Sequence, residues 1–575
     1  MMKRICWIAL LLLVLPGVGR AQVSKQVEVT KAYELHLEEA EKYTIRPDMT
    51  DTMRLRPDID YTVTPLSFET SLATRPIRPA KVTYWEFNRP KPYYLKAGFG
   101  LPLQSIAEFS LSTQHPDTGY ALAYLNHQGR YAKIENDFGV KEPATRLWTE
   151  LGGAAGKYLG RHILEGDVRY THRALRRYGM ALPSTMEPIG DGVGYSDLEA
   201  SIRLGDDFRQ LERTNFEIGL TGALFYDHSD PIGALSRGRQ TDFSVHGKVG
   251  RAFSEDRLIG EVGYQQAAGG KGVDGKRQQV LTASVLYGHT TEQYLLELGL
   301  QYAYDRFKQE GGAMAENYLF PHLRLEFDLI SDAVKPFVEM DGRLERNDYR
   351  SLSYQNPYLQ TSTWLTKSSP SWEGRGGLTG HSANNRFSYR AYAAFSVHDN
   401  YIYWLLPALD LTTPSAYAAG WMIPYMGRQT RFTLGGEVLY RPNKTWLMEA
   451  KARVEARNDD DAAFECGRPA MEGELGVRYA AGKVRVGLKA VATGERVWNY
   501  VAVEQLAGDA ADVELAVGRW KAPFAVDLQF DLEWMLSGTM ALFVEGRNLL
   551  GRDLYTWPTM PEYGINGLVG VRMTF

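Results

Sequence analysis

The sequence predicts an all-β fold: a transmembrane antiparallel β-barrel of about 22 strands behind a short N-terminal periplasmic arm. Three observations carry this. Apolar and polar residues alternate with period two along most of the chain, connections alternate short and long, and the final alternating segment ends on an aromatic residue. The 575 residues include 56 Gly, 34 Tyr and 12 Trp, a Gly- and aromatic-rich composition suited to extended segments joined by turns.

Residues 1–21 read as a signal peptide. Lys3 and Arg4 form a basic start, Ile8 to Leu15 form an apolar stretch too short to span a bilayer, and Pro16-Gly17 breaks it. Gly19 and Ala21 are the small residues a signal peptidase inspects, so cleavage leaves Gln22 first. Cys466 is then the single cysteine, which leaves no internal disulfide. No run of 18 apolar residues follows, which excludes a helical membrane protein. A net charge of −4 points away from nucleic acid.

Residues 22–92 read as the periplasmic arm. Pro47, Pro57, Pro65, Pro76, Pro79, Pro90 and Pro92 interrupt any long element, 11 basic residues balance 11 acidic ones, and only 33–43 suits a short helix. The arm is expected to be extended or partly threaded into the barrel.

From residue 93 to 575 the pattern is that of strands. Tyr294, Leu296, Leu298, Leu300, Tyr302 and Tyr304 alternate with Leu295, Glu297, Gly299, Gln301 and Ala303, giving one apolar face and one polar or small face. Strands are expected near 93–99, 103–113, 118–129, 145–156, 161–173, 194–205, 213–226, 240–253, 256–267, 277–288 and 292–305. They continue near 319–329, 333–345, 371–380, 384–397, 430–441, 444–457, 470–480, 484–495, 522–535, 538–549 and 563–575. Short turns fall at His115-Pro116-Asp117, Ser254-Glu255, Ser331-Asp332, His381-Ser382-Ala383, Pro442-Asn443 and Ala481-Gly482. Longer polar connections fall at 174–193, 346–370, 398–429, 458–469 and 496–521. Barrels of the outer membrane have short periplasmic turns and long extracellular loops, so this rhythm gives localisation and orientation together. Residues of the last segment, Tyr563, Val571, Met573 and Phe575 among them, share one face, and the terminal Phe resembles the signal read by the outer-membrane assembly machinery.

Chemical motifs give little. Gly270 to Arg277 approaches a phosphate-binding loop but has Arg277 where Ser or Thr is needed and joins two strands. Asp227-His228-Ser229-Asp230 reads as a solvated acidic loop tip, and Asn458 to Asp461 with Glu465 lacks the spacing of a calcium loop. The charges of Glu449, Lys451, Arg453, Glu455 and Arg457, and of Glu339, Asp341, Arg343 and Glu345, mix both signs and suit pairing across the lumen wall. No catalytic residue, cofactor or metal ligand is expected.

The run Phe543 to Tyr555, with its Asn548-Leu549 pair before a final strand ending in Phe575, resembles the closing hairpin of TonB-dependent receptors. Val27-Glu28-Val29-Thr30 is similar to a degenerate TonB box, with Val27, Val29 and Thr30 as its core. Arg56 to Tyr61 and Asn356-Pro357-Tyr358-Leu359 look similar to shorter receptor-like barrels of Bacteroidota. The resemblance covers about 93–575 and implies the lipid bilayer as surroundings, with TonB or an envelope protein as partner. It departs where the family carries a full plug domain, since only the arm precedes the first strand. The expected function is non-enzymatic transport or translocation across the outer membrane, with a structural subunit of an assembly or secretion complex as the alternative.

Overall fold

The computed structural model describes residues 91–575, apart from 114–117, 138, 180–189, 209–210, 231–236, 310–311, 366, 409–419, 460–464, 466 and 503–516. The signal peptide, the arm with its Val27, Val29 and Thr30, the turn His115-Pro116-Asp117 and Cys466 lie outside the described residues.

Each alternating segment pairs antiparallel with the next one of the wall. Of the 24 strands in the main sheet, Arg496–Ala502 and Val517–Ala522 form an extension above the wall, and the other 22 close a ring. Closure comes from the first strand, Tyr93–Leu101, pairing with the last, Asn566–Thr574, in register from Tyr94↔Thr574 to Leu101↔Gly567. Every expected strand is present. Closure removes both sheet edges, which a bilayer with no water to satisfy free N–H and C=O groups demands.

Exposure runs opposite to that of a soluble protein. Leu300 is 50% exposed on the outside, whereas Glu297 and Asp305 on the inside are 7% and 5% exposed. Val262, Phe395, Leu434 and Leu475 are likewise exposed large apolar side chains on the wall. An apolar exterior round a polar interior is stable only in a hydrocarbon surrounding, so this is an outer-membrane barrel. Among the described residues no helix is long and apolar enough to cross a membrane.

The lumen wall pairs its charges as the mixed signs lead one to expect. Glu455 is almost fully buried and is met by Arg468 at 3.2 Å, Arg457 at 3.3 Å and Arg453 at 3.5 Å. Arg390 meets Glu339 at 2.9 Å and Arg343 meets Glu345 at 2.9 Å. At the closing seam, Lys96 pairs with Glu545 at 2.9 Å and sits over the Phe543 ring. That ring lies on Gly98 and Gly570, where a Cβ would come within 2.9 Å and 2.5 Å of it, so the seam needs glycine on both strands.

Three expected connections prove to be structured. The segment 398–429 is largely a continuation of the strands Phe387–Ala408 and Ile423–Tyr440. Alternation fails there because Ile402, Tyr403, Trp404, Leu405 and Leu406 are all buried, so both faces carry apolar side chains. The segment 346–370 holds a short helix, Tyr349–Gln355, whose N-cap Asp348 accepts from the Ser351 N–H. The segment 496–521 contains most of the two extension strands, the first of which pairs parallel with Leu406–Ala408. The last strand is shorter than expected, beginning at Asn566, because Tyr563 is drawn into a loop core.

Candidate functional site

A ring of 22 strands spaced about 4.8 Å apart and tilted about 40° is on the order of 40 Å across. The outer end of that ring is where the long connections gather, and they cover it. One contiguous apolar cluster takes Tyr178, Tyr195, Phe225, Val273 and Phe307 from one arc of the ring. It joins them to Leu406, Met422, Trp498, Tyr500 and Met560 from the opposite arc, through Tyr349, Leu352, Tyr358, Leu359 and Trp364 of the helical loop. Each large side chain buried in this way contributes roughly 1.5–3 kcal/mol relative to exposure. The cluster is therefore a cap with a core of its own, built across the mouth from loops that share no sequence neighbourhood.

Hydrogen bonds tie the cap to the wall at two places. At the first, the helix lies against three inward carboxylates. Arg350 donates from Nε to Asp197 at 2.8 Å, from Nη2 to Glu199 at 2.6 Å and from Nη1 to Asp242 at 3.3 Å. Burial alone would lower the Arg350 pKa, but Asp197, Glu199 and Asp242 outweigh it and raise it, which keeps the guanidinium charged. Tyr354 donates to Asp197 at 2.7 Å, and burial with that carboxylate pushes its hydroxyl up to about 12. Arg173 donates to the Ser353 carbonyl at 2.8 Å and lies 3.9 Å over the Tyr354 ring. Tyr349 donates to Asp227.

At the second place, the loop before the last strand meets strands three and four of the wall. Glu562 accepts from Arg146 at 2.6 Å, Arg130 at 3.2 Å and Thr556 at 2.8 Å. Burial pushes the Glu562 carboxyl up, yet Arg146 and Arg130 with the Thr556 hydroxyl win, and its pKa lies below the ordinary value. Arg146 also donates to Tyr178, whose own hydroxyl donates to the Pro561 carbonyl at 3.0 Å. Tyr195 donates to the Pro357 carbonyl at 3.0 Å, fixing the middle of the helical loop.

Beneath the second attachment lies a polar cavity of about 510 Å³ on the inner face of the wall. Among the described residues no group of three or more His, Cys, Asp or Glu is placed to hold a metal ion.

Two sequence readings change here. Asp227-His228-Ser229-Asp230 is only half solvated: His228 is exposed and Asp230 partly so, but Asp227 and Ser229 are 4% and 1% exposed, with Asp227 accepting from Tyr349 and from the Ser229 N–H. Of the face shared by Tyr563, Val571, Met573 and Phe575, only the last three stay with the closing strand. Val571 and Met573 pair with Ala97 and Leu95 of the first strand, and Phe575 exchanges backbone bonds with Tyr93 at 3.0 Å each way. Tyr563 is instead buried in the cap and its hydroxyl accepts from the Ala132 N–H at 2.9 Å. Arg350, Asp197, Glu199, Asp242 and Glu562 were not singled out from sequence. The legible signal is Asp197 and Glu199 two residues apart on one face of one strand, and in the structure Glu199 also accepts from Arg169 of the neighbouring strand at 2.7 Å.

No model of a known protein family matches the chain, and no curated protein matches it. Solved structures do. The ferripyoverdine receptor of the Pseudomonas aeruginosa outer membrane, bound to ferripyoverdine, is 12% identical with a TM-score of 0.61, over 85% of this chain and 72% of that one. The FrpB iron transporter from Neisseria meningitidis is 10% identical with a TM-score of 0.62, over 85% and 82%. The copper transporter OprC is 14% identical with a TM-score of 0.61, over 85% and 82%. At this identity the likeness is one of fold, and the shared fold is a closed 22-strand outer-membrane barrel.

Proposed function

We propose that the protein is a receptor-like transport barrel, without an enzymatic step, whose loop-built cap is its outer gate. The observation that carries this is the cap itself: a polar, charge-paired lumen roofed by an apolar cluster that reaches across the ring. A wall this wide leaves a water-filled passage unless something occludes it. The neighbours in fold are a ferripyoverdine receptor, an iron transporter and a copper transporter, which supports uptake as the task.

The finer parts of the reading rest on sequence. On this reading the arm of residues 22–92, the long loops or a partner fills the lumen where the family has a plug, and Val27, Val29 and Thr30 engage TonB or a similar energising partner. Arg56 to Tyr61 and Asn356 to Leu359 support the Bacteroidota type. Tyr563, Val571, Met573 and Phe575 serve insertion by the assembly machinery, with Val571, Met573 and Phe575 as the part on the closing strand.

Conductance of the full chain in a planar bilayer tests this. The wild type is expected to be nearly silent. Arg350→Ala, which frees the helix from Asp197, Glu199 and Asp242, is expected to open it in bursts, and deletion of 22–92 to raise the open level further. If both variants stay silent while the purified protein holds stoichiometric partner subunits, transport fails and a structural role in an envelope complex replaces it.

A further inference from the structure

The polar cavity of about 510 Å³ lies between strands three and four and the last four strands of the wall, under the loop that carries Glu562. Four arginines line it: Arg130, Arg146, Arg496 and Arg547. Three have their charge met. Arg130 and Arg146 share Glu562 at 3.2 Å and 2.6 Å. Arg547 donates to Gln529 at 2.6 Å and lies 3.3 Å from Glu545. The carboxylate of Asp527 is taken as well, accepting from the Asn548 N–H at 2.8 Å and from Gln529 at 2.6 Å. Asp553, the remaining acid of the lining, is solvent-exposed.

Arg496 is different. Its Nη1 reaches only the Tyr555 carbonyl, at 3.2 Å, and its buried Nε has no hydrogen-bond partner among the described residues. Burial lowers its pKa, with Glu472 the one charge that offsets the effect. A guanidinium presents its donors as a planar fork matched to carboxylate or phosphate, and leaving part of that fork buried and unmet is costly. The rest of the lining suits hydroxyl groups: Gln529, Asn566 and Thr556 already bond within the protein but keep oxygen lone pairs to which a hydroxyl can donate, and the Tyr555 and Tyr563 rings bring flat apolar faces.

We propose that this cavity binds a small hydroxyl-rich anion, with its carboxylate or phosphate on Arg496 and its hydroxyls on the amide-lined wall. The proposal deepens the transport reading by naming a cargo class, and rests on that reading only for how the ligand arrives. The cavity is too small for a folded partner and too polar for a lipid chain, whereas an acidic or phosphorylated sugar matches its volume and its charge.

Isothermal titration of the full chain in detergent tests it with three probes: glucuronate, glucose 6-phosphate and neutral glucose. At least one anion is expected to bind saturably and at least 10-fold more tightly than glucose, and whichever binds better identifies the head group. Arg496→Gln is expected to weaken that anion by 10- to 100-fold, the range of a lost charged hydrogen bond, and to leave glucose unchanged. Arg496→Lys, which restores the charge without the fork, is expected to recover part of the loss. Glucose binding as tightly as both anions, or no binding of any probe to the wild type, overturns the proposal without any variant. So does a folded Arg496→Gln protein that binds the anions as the wild type does. An Arg350→Ala variant and a 22–92 deletion that both stay silent in the bilayer, in a barrel that binds the anion, sink the transport reading and leave this one standing.

Discussion

The wall and the cap are both held by burial and hydrogen bonds, but they obey opposite rules. In the wall, exposure alternates residue by residue: Leu298 and Leu300 face outward, while Glu297, between strands at the same level, is 7% exposed. Long antiparallel ladders join each strand to the next over most of the ring, so the wall would stand without any one side-chain pair. In the cap, Tyr349, Tyr358 and Leu406 are all 0% exposed, on segments with no period, and the backbone is held to the wall by a few charged contacts. The difference teaches where change is possible. A structure closed by a continuous ladder unfolds as a whole, whereas one fastened at two polar points can open at those points and leave the rest intact.

The largest effect separating the two regions is expected at Arg350. Replacing it by Met removes the cation shared by Asp197, Glu199 and Asp242 while keeping most of the stem; Glu199 keeps Arg169 at 2.7 Å, so the cost falls on buried Asp197 and Asp242 and is expected to be about 3 kcal/mol. The loss should be local. Hydrogen exchange is expected to speed up in 346–365 and in the hairpin 401–408, and to stay slow in the wall strands. Uniform acceleration across the wall would show that cap and wall form one cooperative unit, and the distinction drawn above would fall.

A charge on the lipid face should behave the other way. Leu300→Arg places a cation in the hydrocarbon region and is expected to cost roughly 2–4 kcal/mol, read as a shift in urea unfolding of the barrel in vesicles. Gln301→Arg, one residue on and facing the lumen, should shift it by less than about 0.5 kcal/mol. Equal effects at the two positions would mean that the strand Tyr294–Gln309 does not present its apolar face to lipid.

How much of this could be read from the sequence follows the same division. The strand Tyr294–Gln309 was legible because burial on one face only leaves a period of two, and a barrel repeats that constraint 22 times. Strand ends near the lipid were found to within a few residues. The hairpin around Tyr401 to Leu406 was lost because both of its faces are covered, which removes the alternation that marks a strand. The Arg350 cluster was lost for another reason. Its members are separated by about 150 residues of chain, as in Arg350–Asp197, and no local pattern encodes which loop folds over which arc of the ring. Arg496 carries no sequence signal at all, since what distinguishes it is a buried Nε with no partner among the described residues.

The smallest expected effect concerns pH and the second attachment of the cap. Glu562 has a folded pKa below the ordinary carboxylate value, because Arg146 and Arg130 outweigh its burial. Its contribution is thus fully present above the unfolded value near pH 4 and is lost as pH falls through the lower folded value. Asp137, which accepts from Tyr555 in the same part of the cap, is shifted the other way, with burial raising its pKa. It favours the folded cap when protonated, and that contribution declines as pH rises through its raised value. The two groups therefore oppose each other, and their sum is a shallow pH profile for the loop 553–563 with a fall on the acid side. Glu562→Gln removes one of them. It is expected to weaken the attachment by roughly 1.5–3 kcal/mol at neutral pH. Exchange in 553–563 should then lose its acid-side fall and keep only the slow rise in opening toward higher pH that Asp137 imposes. A variant whose acid limb is unchanged would place the pH-sensitive contact elsewhere. The acid sensitivity of the cap would then lie outside the Glu562 attachment.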